Sequence, residues 1–170
     1  LEKVYSLETE RIIWQYMENE PRIQYIKMEE NLGISGNSNR ALQAAKGAYV
    51  ALLDHDDVLT EDALYWVVDA LQRERYDVVY SDEDRMAENG SHYLEPRFKP
   101  EFDIDLLRAY NYISHLFVAR RELMLADGGF HSQYDGAQGY DMILRCCEGN
   151  REICHIPRVL YHKRIHDGTS

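Results

Sequence analysis

Carboxylates crowd two short segments of this sequence. Asp54-His-Asp-Asp57 places three acids within four residues directly after the apolar run Tyr49–Leu53, and Ser81-Asp-Glu-Asp84 follows a second apolar run at residues 77–80. Carboxylates this close repel one another, and a hard divalent cation with oxygen ligands relieves the repulsion. The first segment is therefore predicted to bind a cation, and the alternative is a solvated acidic turn that caps the next helix.

The spacing of the first acidic segment predicts which side chains act together. In an extended segment, residues i and i+2 point the same way, so Asp54 and Asp56 are expected to face one ligand while Asp57 faces the other side. The pattern from Asp54 to Leu59 also suits a phosphatase that forms an aspartyl-phosphate at its first Asp. Such an enzyme carries the motif near its start and needs a downstream acidic loop with glycines, which residues 81–84 lack. An EF-hand is excluded because the Gly and the distal Glu of that loop are missing.

Helical and strand patterns alternate along the chain. Helices are predicted over residues 7–19, 40–46 and 136–148, and another begins at the N-cap Thr60 with an apolar face of Leu64, Val67, Val68 and Leu71. Strands are predicted over residues 22–27, 49–53, 77–80 and 153–165, and loops over residues 31–39 and 86–108. This alternation predicts an α/β fold with a mostly parallel, doubly wound sheet. Because such sheets bind ligands at their carboxyl edge, we expect both acidic segments at the functional site.

The composition limits the classes of function. The chain has 170 residues, 45% of them hydrophobic, which suffices for one domain with a core, and a formal net charge of -11. That charge argues against a nucleic-acid partner, because phosphate backbones are bound by clustered Lys and Arg. It also means that an anionic nucleotide would need a cation to hold it. No apolar run reaches the roughly 18 residues of a membrane span, and no signal peptide is recognisable.

The three cysteines are predicted to be small buried hydrophobic residues. Cys146, Cys147 and Cys154 are odd in number and form no C-x-x-C pair, so neither a zinc site nor a disulfide framework is expected. Free thiols favour a reducing cytoplasm as the location of the protein.

Short motifs follow one another in a fixed order from Asn31 to Arg164. They are Asn31-x-Gly33, Asn39-Arg-Ala41, the segment from Ala45 to Asp57, Asp62-Ala-Leu64, Tyr80-Ser-Asp-Glu-Asp84, Phe98-Lys-Pro100, Asn111-Tyr-Ile113, Gly128-Gly-Phe130, Tyr140-Asp-Met-Ile-Leu-Arg145, His155-Ile-Pro157 and Tyr161-His-Lys-Arg164. This ordered set resembles the family 2 glycosyltransferases, and most closely the branch that builds bacterial surface polysaccharides of the rhamnan and O-antigen type. The resemblance implies a GT-A fold, with a nucleotide-sugar-binding, Rossmann-like sheet flanked by helices, as a single partial domain over residues 1–170.

The resemblance implies a binding site for the donor nucleotide. The residues that correspond to donor-binding positions are Asn31, Gly33, Asn39, Arg40 and Asp54. Gly33 would permit a close approach of the backbone, and Arg40 would neutralise phosphate charge. The alternative for the loop is an ordinary lead-in to a helix.

A metal site is implied as well. Asp56 corresponds to the metal-binding carboxylate of an Asp-x-Asp motif, with Asp54 beside it, and His162 to a third ligand, for which His166 is the weaker candidate. The implied ion is Mn²⁺ or Mg²⁺, which would bridge the donor diphosphate and stabilise it as the leaving group. A place on the surface or in the core is the alternative for either histidine.

Two further segments are implied on the acceptor side. Asp82, Glu83 and Asp84 would line it, with solvated acids as the alternative. Gly129, within Gly128-Gly-Phe130, corresponds to the loop that frames the sugar and the acceptor, and an ordinary turn is the alternative.

Two departures from the family pattern bear on catalysis. Family members open with two strands that hold the nucleobase and the ribose, whereas this chain begins after both, so we expect an N-terminal truncation. Gly139 occupies the position of the acid that serves as general base for the acceptor hydroxyl. Asp141 lies roughly 200° further around the predicted helix and points to the opposite side, and Asp135 in the preceding loop is the other weak candidate. The catalytic base is unassigned.

The sequence supports two functional hypotheses. The first is a metal-dependent, inverting glycosyltransferase that moves a sugar from a nucleotide-diphosphate donor to a saccharide or lipid-linked acceptor in cell-surface polysaccharide synthesis. The second is a non-catalytic binding or assembly module that keeps the fold. The Asp54-x-Asp56 motif favours the enzyme, and Gly139 favours the module. The resemblance is compatible with a peripheral position at the inner face of the membrane, and it leaves the oligomeric state open.

Overall fold

The computed structural model describes residues 2–126 and 128–166, with side chains from residue 7 onward. Two compact units divide after Asn31. The single domain expected over residues 1–170 therefore stays a prediction.

The first unit consists of helix α1 (Glu2–Asn19) and the segment up to Asn31. Pro21 follows the end of α1, but the strand expected over residues 22–27 does not form. Tyr25 instead packs edge-on against Trp14, with 6.2 Å between the ring centroids. Tyr25 of the predicted strand thus packs against the helix, whereas Ile23 and Ile26 are exposed.

The second unit is a sheet with helices on both faces. Its helices are α2 (Gly33–Ala44), α3 (Ala63–Arg73), α4 (Ile104–Ala109), α5 (Arg121–Ala126) and α6 (Gln138–Cys147), with a 3₁₀ turn at Ser132–Tyr134. Its strands are β1 (Tyr49–Leu52), β2 (Val58–Leu59), β3 (Val78–Met86), β4 (Tyr93–Arg97), β5 (Phe117–Arg120) and β6 (Ile153–Arg164). Both predicted loops are therefore partly regular, since α2 begins at residue 33 and β4 and α4 lie within residues 86–109.

The strands of the second unit form one mixed sheet. Their order is β1-β5-β3-β6-β2, and β4 pairs with β3 beside that path. The β3–β6 pair is parallel, and the other four pairs of the described strands are antiparallel. The predicted α/β class is confirmed. The expectation that most strands pair in parallel is wrong, since one of these five pairs is parallel. The reason is three unpredicted strands that run antiparallel to their partners, namely β5 between β1 and β3, β2 beside β6 and β4 beside β3.

Strand β3 is the centre of this sheet and is longer than predicted. It pairs with β6 along its whole length, while its other edge holds β5 at residues 78–80 and β4 at residues 83–86. The acids Asp82, Glu83 and Asp84 therefore lie within the strand and not beyond its end.

Alternate side chains of β3 enter two hydrophobic cores. Val78 and Tyr80 face the core that contains α6, and Val79 faces the core that contains α3. Cys146 and Cys147 are buried in the first of these cores, as predicted for small hydrophobic residues.

Helix α3 packs on the sheet through a stripe that only partly coincides with the predicted one, since Val67 and Leu71 of the predicted stripe contact the core. Ala63, Val67 and Ala70 are buried, whereas Leu64 and Val68 of the predicted stripe are 62% and 50% exposed. Both stripes are apolar, so periodicity alone does not distinguish them. The stripe with two alanines allows the closer approach of the helix to the sheet.

Candidate active site

A cavity of about 770 Å³ opens beyond the carboxyl end of β1, and we call it the cleft. Its wall is formed by α2, the turn after β1, the segment before β5 and the start of α6. Asp54, His55, Asn111 and His115 are among its polar lining residues, and Gly139 lines it from α6. Open α/β sheets bind ligands at this edge.

The acidic segment after β1 forms a turn. The Asp57 amide donates to the Asp54 carbonyl at 3.3 Å. The hydroxyl of Tyr161, on β6, accepts from the Asp54 amide at 3.2 Å and donates to Asp57 Oδ2 at 2.6 Å. Burial raises the pKa of Tyr161, so the phenol remains a neutral donor. The expectation that Asp54 and Asp56 face one ligand with Asp57 opposite is therefore wrong, because the turn brings Asp57 back toward Asp54.

Asp54, Asp57 and His115 form a cluster in which each offers a ligand atom within 4.8 Å of the others. His115 Nε2 lies 3.8 Å from Asp54 Oδ2, and the His115 ring stacks on Tyr161 with 4.6 Å between centroids. The Nδ1 atom of His115 is buried and has no hydrogen-bond partner among the described residues. Burial lowers the pKa of His115 and outweighs the opposite effect of Asp54, which favours the neutral, metal-binding form of the imidazole.

Sequence reasoning did not place His115 at the site. The available signal was the motif Asn111-Tyr-Ile113, which ends two residues before it. Asp57 was assigned to the wrong side because the i, i+2 rule holds for extended chains and not for turns.

Asp56, the remaining carboxylate of the turn, is contacted by residues at the end of β6 and just after it. His166 Nε2 lies 2.6 Å from Asp56 Oδ2, and this hydrogen bond lowers the pKa of Asp56. Arg164 Nε donates to the Asp56 carbonyl at 2.8 Å, and the Arg164 amide donates to Asp57 Oδ1 at 2.8 Å. The structure thus brings the weaker histidine candidate, His166, to Asp56. The roles of Asp56 and His166 as metal ligands stay predictions.

His162, the stronger candidate for the third ligand, is buried in the sheet. Its Nδ1 lies 2.5 Å from Asp84 Oδ1, and its ring stacks on Tyr93 with 4.1 Å between centroids. A carboxylate that holds one ring nitrogen is a usual feature of metal-binding histidines. His162 nevertheless lies outside the cluster of Asp54, Asp57 and His115, so its role as a ligand also stays a prediction.

The three acids of β3 are buried, and each has a basic partner. Asp82 Oδ1 lies 2.8 Å from His155 Nε2 and accepts from the Lys99 amide at 2.8 Å. Glu83 pairs with the Lys99 ammonium, and Asp84 with the histidine described above. The alternative of solvated surface acids is therefore wrong. Asp82 and Asp84 are absent from the described lining of the cleft, and their place on the acceptor side stays a prediction.

Lys99 is only 9% exposed and fixes the segment that carries His115. Its Nζ donates to Glu83 Oε2 at 3.1 Å, to the Ile113 carbonyl at 2.6 Å and to the His115 carbonyl. Glu83 Oε2 in turn accepts from the His115 amide at 3.1 Å. Burial lowers the pKa of Lys99, an effect that the facing Glu83 opposes. The ion pair therefore holds both backbone polar groups of His115.

Two of the predicted donor residues make contacts that stabilise the fold. Gly33 begins α2 at φ +72°, and a side chain there would lie 3.4 Å from Asp135. Asn39 Oδ1 accepts from the Phe130 amide at 2.7 Å, and Asn39 Nδ2 donates to the Phe130 carbonyl at 2.8 Å. Glycine is required at Gly129, because a Cβ there would approach Asn39 Oδ1 to 2.2 Å. These tertiary contacts explain why α2 forms although its glycine, serine and asparagine residues have low helix propensity.

Arg40 and Asn31 are two further residues of the predicted donor site. Arg40 is exposed and contacts Gln43 at 3.5 Å, and Asn31 belongs to the first unit. Helix α2 lines the cleft through different residues, namely Ile34, Asn37 and Ser38. The donor roles of Asn31, Gly33, Asn39 and Arg40 stay predictions.

Gly139, at the position predicted for a general base, lines the cleft without a side chain. A Cβ built on Gly139 would meet no atom of the described residues within 4 Å. Asp141 Oδ2 accepts from Arg145 at 2.8 Å, and Asp135 Oδ1 accepts from the Ser35 hydroxyl at 2.5 Å. Neither aspartate lines the cleft within the described part of the chain, so a role as base stays a prediction for both.

Sequence comparisons connect this chain to known proteins. Residues 6–126 match the model of the family described as glycosyl transferase family 2. The uncharacterized protein y4gI of Sinorhizobium fredii is 42% identical over 166 residues, which are 96% of this chain and 18% of that protein. The O-antigen biosynthesis protein RfbC of Myxococcus xanthus is 36% identical over 155 residues, which are 91% of this chain and 12% of that protein. The chain thus spans less than a fifth of the length of these curated relatives.

Comparison of structures identifies a similar fold in S. aureus TarS. The TM-score is 0.71 with 21% sequence identity, over 92% of this chain and 48% of the TarS chain. Structures of TarS have also been solved in complex with UDP and with UDP-GlcNAc. The likeness concerns the fold, and it confirms the GT-A class. None of the described helices combines the length and the apolar character needed to cross a membrane.

Proposed function

Since this chain belongs to glycosyl transferase family 2, we propose that its cleft binds a nucleotide-diphosphate sugar and transfers the sugar to a saccharide or lipid-linked acceptor in polysaccharide synthesis. The observation that carries the proposal is the cluster of Asp54, Asp57 and His115 at the cleft. The relative RfbC, an O-antigen biosynthesis protein, and the UDP and UDP-GlcNAc complexes of TarS support the substrate class. Membership of the family sets aside the alternative of an aspartyl-phosphate phosphatase.

The proposed reaction is a single displacement with inversion at the anomeric carbon. An oxygen of the acceptor hydroxyl forms a bond to that carbon, and the bond from the carbon to the diphosphate oxygen breaks. The nucleoside diphosphate departs with the bonding electrons, and the hydroxyl proton passes to a base. Gly139 cannot supply this base, since it has no side chain in the cleft.

The residues of the cluster are suited to a divalent cation, Mn²⁺ or Mg²⁺. Carboxylate oxygens are the ligands that such ions prefer, and a neutral imidazole suits Mn²⁺ as an additional ligand. The ring nitrogen of His115 nearest to the carboxylates is Nε2, which lies 3.8 Å from Asp54 Oδ2 and would be the atom that contacts the ion. When bound, the ion would neutralise the diphosphate as leaving group. Asp54, Asp57 and His115 would hold it, whereas the resemblance alone implies a ligand set of Asp56, Asp54 and His162, with His166 as the weaker candidate for the histidine.

The rest of the site positions these groups. Tyr161 ties Asp54 to Asp57 through one hydroxyl, and the amide of Arg164 adds a second bond to Asp57. Lys99 and Glu83 fix the backbone of His115. The cluster is therefore preorganised by contacts from strands β3 and β6, which avoids the cost of ordering it when a ligand binds.

Calorimetric titration of the chain with UDP and with dTDP, each with and without Mn²⁺, tests this proposal. We expect binding that requires the ion, because a protein of net charge -11 repels an anionic nucleotide. Asp54→Asn and Asp57→Asn are each expected to weaken it by about tenfold or more, a loss of about 1.4 kcal/mol. The matched control is Asp105→Asn, which removes a carboxylate that is 87% exposed on α4.

Binding that is equal with and without Mn²⁺ would contradict the metal site. An equal loss in Asp105→Asn would show that net charge and not the cluster is responsible. Titration of Asp56→Asn in the same series then decides between the cluster and the ligand set implied by the motif.

A second function, a non-catalytic module, is favoured by Gly139. Such a module would bind the donor with the same metal dependence and would not transfer the sugar. Turnover therefore separates the two functions, and substitution of Gly139 in the cleft provides the test.

A further inference from the structure

A second cavity of about 520 Å³ adjoins the cleft, and we call it the groove. It is lined by the end of β4, the residues that follow it and the segment after α4. Asn111 lines both cavities, so the groove borders the cleft at this residue. A ligand that reacts in the cleft and is longer than one sugar can therefore extend into the groove.

Two aromatic rings of the groove are exposed. Phe98 is 76% exposed and Tyr110 is 54% exposed. Exposed aromatic rings beside a functional cavity indicate a surface that binds a ligand. The flat apolar face of a pyranose ring, which carries only C–H groups, is complementary to such a ring.

Polar groups accompany these rings. The Arg97 side chain is 55% exposed and lies 3.6 Å from Glu83, and Asn111 offers a side-chain amide where the two cavities meet. Guanidinium and amide groups hydrogen-bond to hydroxyls and, in the case of Arg97, also to carboxylates. The combination of apolar faces with polar edges matches a saccharide better than it matches an apolar ligand.

The groove has a fixed floor. The Tyr80 hydroxyl donates to the Pro100 carbonyl at 2.6 Å, and the Tyr112 hydroxyl accepts from the Asp103 amide at 2.9 Å. Below them, Lys99 makes the buried contacts described above. A floor that is ordered before binding reduces the entropy lost when a ligand binds.

The other cavities do not offer the same chemistry. A cavity of about 250 Å³ also adjoins the cleft through Leu52, Leu53 and Phe130, but its remaining lining is largely aliphatic, with Leu42, Val50 and Met124. A cavity of about 470 Å³ at residues 87–94 shares no lining residue with the cleft among those described.

We propose that the groove between Phe98 and Tyr110 binds the acceptor saccharide, on sugar residues next to the one whose hydroxyl reacts in the cleft. This inference rests on the proposed function, since it assigns the acceptor of that reaction. The rings of Phe98 and Tyr110 stack on the sugars, and Arg97 and Asn111 bind their hydroxyls or carboxylates. The acceptor is thus a chain of at least two sugars.

Binding of oligosaccharides to the whole chain tests the groove without requiring turnover. The probes are an array of bacterial surface glycans, followed by titration of the strongest binder, with neutral chitotetraose and acidic hyaluronan tetrasaccharide as defined reference compounds. Phe98→Ala and Tyr110→Ala are each expected to weaken oligosaccharide binding by about tenfold. The matched control is Tyr65→Ala, because Tyr65 is 64% exposed on α3 and lines neither cavity.

Titration with UDP and Mn²⁺ keeps this test separate from that of the proposed function. We expect Phe98→Ala and Tyr110→Ala to bind UDP as the wild type does. Oligosaccharide binding that is unchanged in both variants, weakened equally in Tyr65→Ala, or absent for every glycan of the array would overturn the assignment of the groove. A wild type that binds glycans but neither UDP nor dTDP would instead contradict the proposed function.

Discussion

Gly139 is the residue of the cleft whose substitution is most informative. It is the second residue of α6, it lines the cleft, and a side chain there would meet no described atom within 4 Å. A carboxylate in the first turn of a helix also interacts favourably with the helix dipole. An acid can therefore be introduced at this position without strain.

Gly139→Asp is expected to raise the rate of sugar transfer. If the chain is a transferase that lacks its base, the new carboxylate supplies general-base catalysis, which contributes about 100-fold or more. We also expect the variant to be slightly more stable, by about 0.3–1 kcal/mol, since glycine is a poor helix former. The measurements are release of nucleoside diphosphate under single-turnover conditions and thermal unfolding.

The matched control is Gly139→Asn, which has the same size and no basic carboxylate. A rate equal to that of Gly139→Asp would show that the base does not act from this position. If all three proteins are folded, bind UDP and remain inactive, the function as a binding module is supported instead.

At the residue scale, the sequence located the acidic turn but not the partners within it. Asp54 and Asp57 come together because the chain turns at residues 55–56 and because Tyr161, far along the chain, bonds to both. His115 joins them from the segment before β5. These contacts depend on how β1, β5 and β6 are arranged, and a local pattern contains no information about that arrangement.

At the scale of elements, an ion pair joins strand β3 to the segment after β4. Lys99 lies in that segment, and its ion pair with Glu83 holds the chain that leads into β5. Such a pair is satisfied by many hydrogen bonds, and the removal of one partner leaves an uncompensated charge in the interior.

Lys99→Met is expected to destabilise the protein by about 3–5 kcal/mol, because it leaves the Glu83 carboxylate buried without its ammonium. The double variant Lys99→Met with Glu83→Gln is expected to regain part of that loss, since the remaining side chain is neutral. Chemical denaturation of the two single variants and the double variant gives the coupling between the residues. Additive effects of the two substitutions would contradict a direct ion pair.

The helices and strands were predicted best where one face is strongly apolar. The terminal strand over residues 153–165 corresponds to β6, and the helix over residues 136–148 to α6. Strand β5 was missed because its four residues are flanked by no turn signal, and α3 was rotated because two of its stripes are apolar. Strand β1 is only partly buried, although its run is apolar, because it lies at the end of the sheet.

At the scale of the whole molecule, the interior contains groups that ionise in alkali. Burial raises the pKa of the Cys147 thiol from about 9 to about 12, and it also raises the pKa values of Tyr80 and Tyr161. These groups stay protonated in the folded protein at a pH where they ionise in the unfolded chain. Their contribution to stability is therefore complete below their unfolded pKa values and is lost as the pH rises above them.

The free energy of unfolding is expected to fall by about 1.4 kcal/mol per pH unit for each such group once the pH exceeds its unfolded pKa, which is about 9 for Cys147 and about 10 for the two tyrosines. Cys147→Ala removes one of them, so its destabilisation relative to the wild type is expected to be constant between pH 7 and 8 and to shrink by about 1 kcal/mol between pH 9 and 10. Urea denaturation across this range provides the measurement. A difference between the two proteins that does not change with pH would contradict the assignment.

The α/β class and the carboxyl-edge location of the cleft followed from the order of the elements and from where the acidic turn lies. The mixed direction of the sheet did not follow, because antiparallel insertion of β5 depends on long-range pairing that no local pattern shows.

The three buried acids of β3 also determine which chains this strand can join. Two copies of β3 aligned in parallel and in register would bring the carboxylates of residues 82–84 opposite one another, which destabilises such a pair. In the folded protein these acids are paired instead with His155, Lys99 and His162 from other parts of the chain. The long central strand is thereby protected from self-association while the sheet is incomplete, so newly made or partly unfolded chains are expected to resist amyloid-like aggregation through this segment.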